Sequence, residues 1–555
     1  MHHGVRNALA LTLALTGAGC AGRPSTGAGP MPSAEADPGL VVLVVVDQMR
    51  YDLLERYADL WTGGLRRLRA ESLRFTNATH DHAVTETAPG HATLATGVHP
   101  SRHGVVANLW LEADSSGWRT VENVVDPATP LVGAPEFTGA SPDRLRREGL
   151  ADWLRAIQPQ ARVVSIAGKD RAAVLMASRA RGLVYWYEAR LGRFVTSTWY
   201  AETDPEWVVS FNEGRLRELL ADSVWESTVP SHAVARARPD SASYEGDGLH
   251  VTFPHERVRE DATPGAWLAR TPDLDLATLD LARAALVELD LGRGQRTDYL
   301  AIGLSQTDRV GHAFGPYSLE QLDNLLRLDR ELGSFLAELE ASLPPDRLTL
   351  ALTADHGVLQ APEWRVAQGL PGRRLGTAER DRYTDIVTTA VRTPPFEPRA
   401  LRDSLAALDW VAAAWVDARF PADSFASLER NGVYEGRFAS SVERFGVGYR
   451  MTEGTLDWAW PRGTMHGSPY YYDRHVPLLF FGAEIDAGVV ETAVSSTDVA
   501  PTLARWVGIP VPGDLDGRPL LGRRTTTGLR ARESPSGDGE TSRPRGSADL
   551  TPPGS

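Results

Sequence analysis

The sequence predicts an α/β protein: a doubly wound α/β/α sandwich with a mostly parallel central sheet and inserted cap segments. Two observations carry this. Continuous apolar runs, of the kind that strands buried on both faces show, recur along the chain, and each leads into a polar or charged cluster. A long amphipathic helix separates two of these runs, and the order strand, helix, strand implies parallel pairing. Parallel sheets place ligands beyond the carboxyl ends of their strands, so the polar clusters should meet at one edge.

Taken in order, residues 39–46 read GLVVLVVV and lead to Asp47, Gln48, Met49 and Arg50. Residues 161–168, ARVVSIAG, lead to Lys169, Asp170 and Arg171. Residues 298–304, DYLAIGL, lead to Asp308 and His312, and residues 348–353, LTLALT, lead to Asp355 and His356. Between the last two runs, residues 319–339 place Leu322, Leu325, Leu332, Phe335, Leu336 and Leu339 on one face of a helix. Residues 476–482, VPLLFFG, form a further core strand.

Two long stretches interrupt this core. Residues 182–290 carry Tyr185, Trp186, Tyr187, Phe194, Trp199 and Tyr200 and read as a cap over the site. Residues 358–462 read as a second insertion with helical pieces, such as residues 400–408. The ends differ in character. Residues 1–20 hold Arg6, an apolar run from Ala8 to Leu15, and then Gly17, Ala18, Gly19 and Cys20. That run is too short to span a bilayer and reads as an export signal. Small residues before a lone cysteine resemble a bacterial lipoprotein signal with Cys20 as the lipidated residue. Gly17 stands where that pattern usually has Leu, so simple signal cleavage is the alternative. Residues 21–38 read as a flexible linker and residues 523–555 as a disordered tail, both by composition.

The net charge of −14, with no basic cluster, argues against duplex nucleic acid as a partner. Cys20 is the only cysteine, so no intrachain disulfide can form, and Lys169 is the only lysine among 58 basic residues.

The stretch that organises the rest runs from Thr85 to Asn108. Thr87 precedes Pro89 and Gly90 and a short helix-compatible run, which puts it at a helix N-terminus, where backbone N–H groups favour an anion. Alone, Thr87 would read as an ordinary N-cap. Asp308 and His312, one helical turn apart, can face a common ion. Asp355 and His356 are adjacent at a strand exit. With Asp47 and His466 they make six candidate metal ligands around one predicted sheet edge. Mixed His and Asp ligation suits zinc with open positions. Taken singly, each would read as a turn aspartate or a satisfied histidine.

The order Asp47, Thr87, Asp308-x-x-x-His312, Asp355-His356, His466 resembles the alkaline phosphatase superfamily. The clusters around Asp47, Thr87 and Lys169-Asp170-Arg171 are similar to its phosphate-irrepressible branch, and the likeness extends over residues 39–522. The resemblance implies two Zn²⁺, one held by Asp308, His312 and His466, the other by Asp47, Asp355, His356 and the nucleophile Thr87. It assigns Asn108, Lys169 and Arg171 to the non-bridging phosphate oxygens. Small phosphate monoesters are then the substrates, turned over through a phosphothreonine. The implied setting is a bacterial periplasm or outer surface, with the membrane reached only through a lipid on Cys20, and the expected state is a monomer. A phosphodiesterase or nucleotide pyrophosphatase of the same superfamily is the alternative; it shares the threonine, the asparagine and the metal ligands but lacks the Lys-x-Arg pair. A sulfatase would need a modified cysteine where this chain has Thr87.

Overall fold

The structure is a computed structural model. It describes residues 39–520 apart from 115–116, 247, 249, 259–262, 345, 417–446, 459 and 484. The export signal, Cys20, the linker and the tail therefore lie outside the described residues. Among those described, no helix is long and apolar enough to cross a membrane.

A ten-stranded mixed sheet runs through the molecule. Its strands in chain order are β1 (Leu40–Val46), β2 (Leu73–Thr79), β3 (Val163–Ala167), β4 (Leu183–Glu188), β5 (Arg193–Val195), β6 (Asp298–Leu304), β7 (Leu348–Thr353), β8 (His475–Phe481), β9 (Gly488–Val490) and β10 (Val494–Ser495). The spatial order is β9-β2-β8-β7-β1-β6-β3-β4-β5, with β10 paired to β2. β7, β1, β6, β3 and β4 are mutually parallel. Every residue of β1, β3, β6 and β7 is buried, which is why these strands read as predominantly apolar runs.

Apolar side chains fill a layer on each face of the sheet. One layer includes the long helix Leu319–Ser342, which buries Leu322, Leu325, Leu332, Phe335, Leu336 and Leu339 as the spacing requires. The other includes the helix Val499–Trp506, which buries Val499, Leu503 and Trp506.

Strand register explains where the polar clusters go. Val46 sits beside Leu304, Val45 beside Thr353, and Ala167 beside Gly303, so four parallel strands end nearly level. Asp47, Lys169, Asp308 and Asp355 all follow those ends. The two strands beyond β7 add the remaining groups. β8 runs antiparallel to β7, and β2 antiparallel to β8. Two reversals restore the direction, so β2 also points its carboxyl end at this edge, ahead of Thr87. β8 enters from the same edge, behind His466.

Two features differ from the sequence-based expectation. The aromatic run Tyr185, Trp186 and Tyr187 lies on β4, inside the sheet, not in a cap, and Phe194 lies on β5. Aromatic side chains suit a half-buried pleated strand as well as a pocket wall, so composition alone does not separate the two. The helix Asp273–Glu288 likewise packs Leu274, Leu281 and Leu286 into the core. The stretch 358–462 contains the helices Thr377–Arg392 and Pro398–Ala406 and an antiparallel pair, Val411–Val416 with Val447–Met451. These enclose a small core of their own around Leu401, Leu405 and Trp410.

Candidate active site

Thr87 is the first residue of a helix, α1 (Thr87–Thr96), and is buried. Ala88 N–H donates to Asn108 Oδ1 at 2.9 Å, and Asn108 N–H donates to the carboxylate of Glu86 at 2.5 Å. Asn108 thus spends its amide oxygen on the helix start and keeps its NH₂ as a donor. Gly90 brings α1 against the exit of β7. A Cβ built there would lie 2.3 Å from Asp355 O and 2.8 Å from Asp355 Cβ. Only a residue without a side chain permits that approach.

Asp308 and His312 lie on α2 (Gln306–Phe314), with His312 Nε2 3.1 Å from Asp308 Oδ1. His466 Nε2 lies 3.6 Å from the same oxygen. On the other side, His356 Nε2 is 3.5 Å from Asp47 Oδ1 and 3.4 Å from Asp355 Oδ2. The donor atoms of Asp308, His312 and His466 lie within 4.8 Å of one another, as do those of Asp47, Asp355 and His356. The rings of His356 and His466 stack at 3.7 Å and join the two groups.

Both groups fit metal ions. Each of the three histidines turns Nδ1 to a backbone carbonyl: His312 to Thr464 at 2.9 Å, His356 to Gly357 at 2.9 Å, His466 to Thr85 at 2.7 Å. Every Nε2 then faces the carboxylates. A carbonyl partner on one ring nitrogen fixes the tautomer that offers a lone pair on the other, which is how histidine ligands are held. Asp47 Oδ1 is buried and accepts no hydrogen bond. Native proteins rarely leave such oxygens unsatisfied without an ion or a role in chemistry. Burial, with Asp308 and Asp355 close by, pushes the Asp47 carboxyl well above the usual range. Burial and the neighbouring His356 and His312 hold His466 well below its usual value, and so neutral. A cation between these groups would favour both the ionised Asp47 carboxylate and the neutral His466.

Lys169, at the N-cap of the helix Asp170–Met176, lies between the two groups. Its Nζ is 2.5 Å from Asp47 Oδ2, 2.6 Å from Asp308 Oδ2 and 3.4 Å from Thr87 Oγ1. Thr87 Oγ1 is also 3.5 Å from His356 Nε2. Arg171 follows in the same helix, half-buried, with its Nε unpartnered. All the residues singled out in the sequence therefore gather at one sheet edge.

Sequence reasoning missed two members. Gln48 adopts a left-handed conformation (φ 68°); its N–H donates to Asp355 Oδ1 at 3.0 Å and its Nε2 to Asp308 Oδ1 at 2.8 Å. It ties the carboxylates of the two groups together. A non-glycine residue with positive φ is uncommon, but no pattern in the chain announces it. His91, one turn along α1, directs Nδ1 to Thr87 O at 2.9 Å and to Asp355 Oδ2 at 3.2 Å. Its signal was present: a histidine four residues after Thr87 on the same helical face.

The family model for type I phosphodiesterase / nucleotide pyrophosphatase matches residues 41–371. The chain belongs to this family, within the alkaline phosphatase superfamily. Its similarity over most of the chain includes several alkaline phosphatases. Alkaline phosphatase PhoV of Synechococcus elongatus is 30% identical over 522 residues, 88% of this chain and 93% of that one. Alkaline phosphatase PafA of Elizabethkingia meningoseptica is 30% identical over 516 residues, 87% and 94% of the two chains. The crystal structure of alkaline phosphatase PafA superposes with a TM-score of 0.80 at 28% identity, covering 88% of this chain and 99% of that one. A solved variant of that protein is substituted at a threonine, an asparagine, a lysine and an arginine. The spacing of the first two equals that of Thr87 and Asn108 here, and the spacing of the last two equals that of Lys169 and Arg171.

The approach of α1 to β7 sets the placement of Thr87. Gly90→Ala should force the helix away from Asp355 and lower kcat/KM by about 100-fold, the usual cost of misplacing a reacting group by about 1 Å. Circular dichroism should show the secondary structure retained; a variant with native turnover would show that the close contact does not position Thr87.

Proposed function

We propose that this phosphoric monoester hydrolase is an exported, monomeric two-zinc enzyme that works through a phosphothreonine on Thr87. One observation carries the reading: the Thr87 hydroxyl, at a helix start, lies beside two converging Asp/His groups and the chain's only lysine. Asp308, His312 and His466 would hold one zinc; Asp47, Asp355 and His356, with Thr87, would hold the other. Bound there, zinc supplies Lewis-acid stabilisation to the threonine oxygen and the ester oxygens.

The chain's own groups account for the rest. Thr87 Oγ attacks phosphorus as its proton passes to solvent, and the bond to the ester oxygen breaks, releasing an alkoxide that takes a proton from solvent to become the alcohol. Phosphate is then on Thr87. Water attacks phosphorus in turn, the bond to Oγ breaks, and Thr87 is restored. Lys169 donates to Asp308 Oδ2 and to Thr87 Oγ1 and pairs with Asp47, so its ammonium would meet a phosphate carried on Thr87. The Asn108 NH₂ and the Arg171 guanidinium complete the cradle for the non-bridging oxygens. The N-terminal pattern ending in Cys20 supports export to a periplasm or outer surface, with a lipid on Cys20 as the anchor. Diester hydrolysis is the second reading, favoured by the phosphodiesterase family model.

Elemental analysis of the purified protein should find about two zinc ions per chain, and His312→Ala should lose at least one. Turnover that survives exhaustive chelation would remove metals from the reaction.

Thr87→Ala should keep the fold and lose nearly all turnover. Mass spectrometry of acid-quenched enzyme should place phosphate on the peptide containing Thr87. Inversion of configuration at phosphorus would instead mean direct transfer to water.

Replacing Lys169 and Arg171 by Ala separates the two ester classes. A monoester offers three non-bridging oxygens and two charges, a diester two oxygens and one charge. Charge-assisted hydrogen bonds contribute about 1.5–3 kcal/mol each, roughly 10- to 150-fold in rate. Monoester kcat/KM should fall by orders of magnitude and diester kcat/KM much less. Equal losses would put the diesterase reading first.

A further inference from the structure

We infer that the cavity beside His312 receives the leaving group of the ester and fits a flat aromatic alcohol that is neutral or anionic. The inference rests on the monoesterase reading above. The cavity has a volume of about 690 Å³ and is continuous with the candidate site, since His312 and Arg309 border it. His312 belongs to the other Asp/His group from His356, the histidine beside Thr87. An in-line displacement expels the alcohol away from the attacking Thr87. The group without Thr87 is the one that would face the departing oxygen, and its His312 borders the cavity.

Its walls are aromatic and preformed. Trp225, Trp267 and Phe314 are buried, and Trp458 and Trp460 stand at the rim. The same helix, α2, therefore supplies His312 to the metal-ligand group and Phe314 to the wall. Trp225 is fixed by its Nε1–H donating to Asp323 Oδ2 at 2.8 Å, and its ring stands edge-on to Phe314 at 6.2 Å. Fixed aromatic faces stack a flat ring without losing side-chain freedom on binding.

Charge narrows the choice further. Arg270, Arg309 and Arg462 line the cavity, and no acidic side chain does among the described residues. Aromatic boxes often take quaternary ammonium groups, but three guanidinium groups repel one. A choline-like alcohol is disfavoured, and an aromatic alcohol, with or without a negative substituent, is favoured.

The test compares 2-(2-naphthyl)ethyl phosphate with ethyl phosphate, whose alcohols have similar basicity, so that a rate difference reports contact with the ring. The naphthyl ester should be favoured about 10- to 100-fold in kcat/KM. Trp460 is 68% exposed, so Trp460→Ala should fold normally; it should lower that ratio several-fold, and Trp460→Phe should restore it. Phosphocholine should do no better than ethyl phosphate. A ratio near one in the native enzyme would overturn the pocket, as would a ratio unmoved by both Trp460→Ala and Trp267→Ala. Turnover of neither ester would overturn the monoesterase reading, and the pocket with it.

Discussion

The constraint on which this structure depends is the crowding of three buried carboxylates, Asp47, Asp308 and Asp355, at the carboxyl edge of one sheet. Carboxylates taken out of water repel each other and lose hydration, a penalty of several kcal/mol for each ion unless cations compensate. A single ammonium, Lys169, touches two of them, and Gln48 donates to two, but donor atoms for further cations are left over. The arrangement makes sense as a receptacle for positive charge, with Thr87 at its margin. The rest follows from holding that receptacle rigid: level strand ends, histidines locked by backbone carbonyls, and a helix seated through Gly90.

Much of this was legible in the sequence because strands buried on both faces leave an unmistakable trace. The runs before Asp47, Lys169, Asp308 and Asp355 are dominated by apolar residues, and a polar cluster follows each one where the chain leaves the sheet. Strand β2 left no such trace. Its residues LRFTNAT are mostly half-buried, and only Phe75 and Ala78 are fully covered. The direction of β8 was equally hidden, since an apolar run reads the same either way and only its connections fix the pairing. Gln48 illustrates a further limit. Its role depends on a left-handed backbone angle and on two carboxylates that are distant in sequence, neither of which a local pattern encodes.

The insertions divide by function. Within residues 182–290, β4, β5 and the helix Asp273–Glu288 extend the core, whereas Trp225, His255, Trp267 and Thr271 border the aromatic cavity. The later stretch contributes Trp458, Trp460 and Arg462 to the same cavity, while its helices keep to a separate small core. Aromatic content is common to both kinds of segment. What separates them is the pairing: Trp186 has strand neighbours on both sides in the main sheet, whereas Trp225 pairs only with His255 and, with Trp267, borders the cavity.

The order of strands in the sheet bears on how the chain is made. Among the described residues, β2 pairs only with β8, β9 and β10, all of which begin at residue 475 or later. A ribosome therefore produces β2 early and its partners close to the end. For most of synthesis β2 has no native strand to pair with on either side, and unpaired edges of this kind recruit other chains. Thr87 follows β2, and His466 precedes β8. The catalytic edge is thus completed only when the chain is almost finished, and a nascent chain stalled before β8 would carry both an open sheet and an incomplete site.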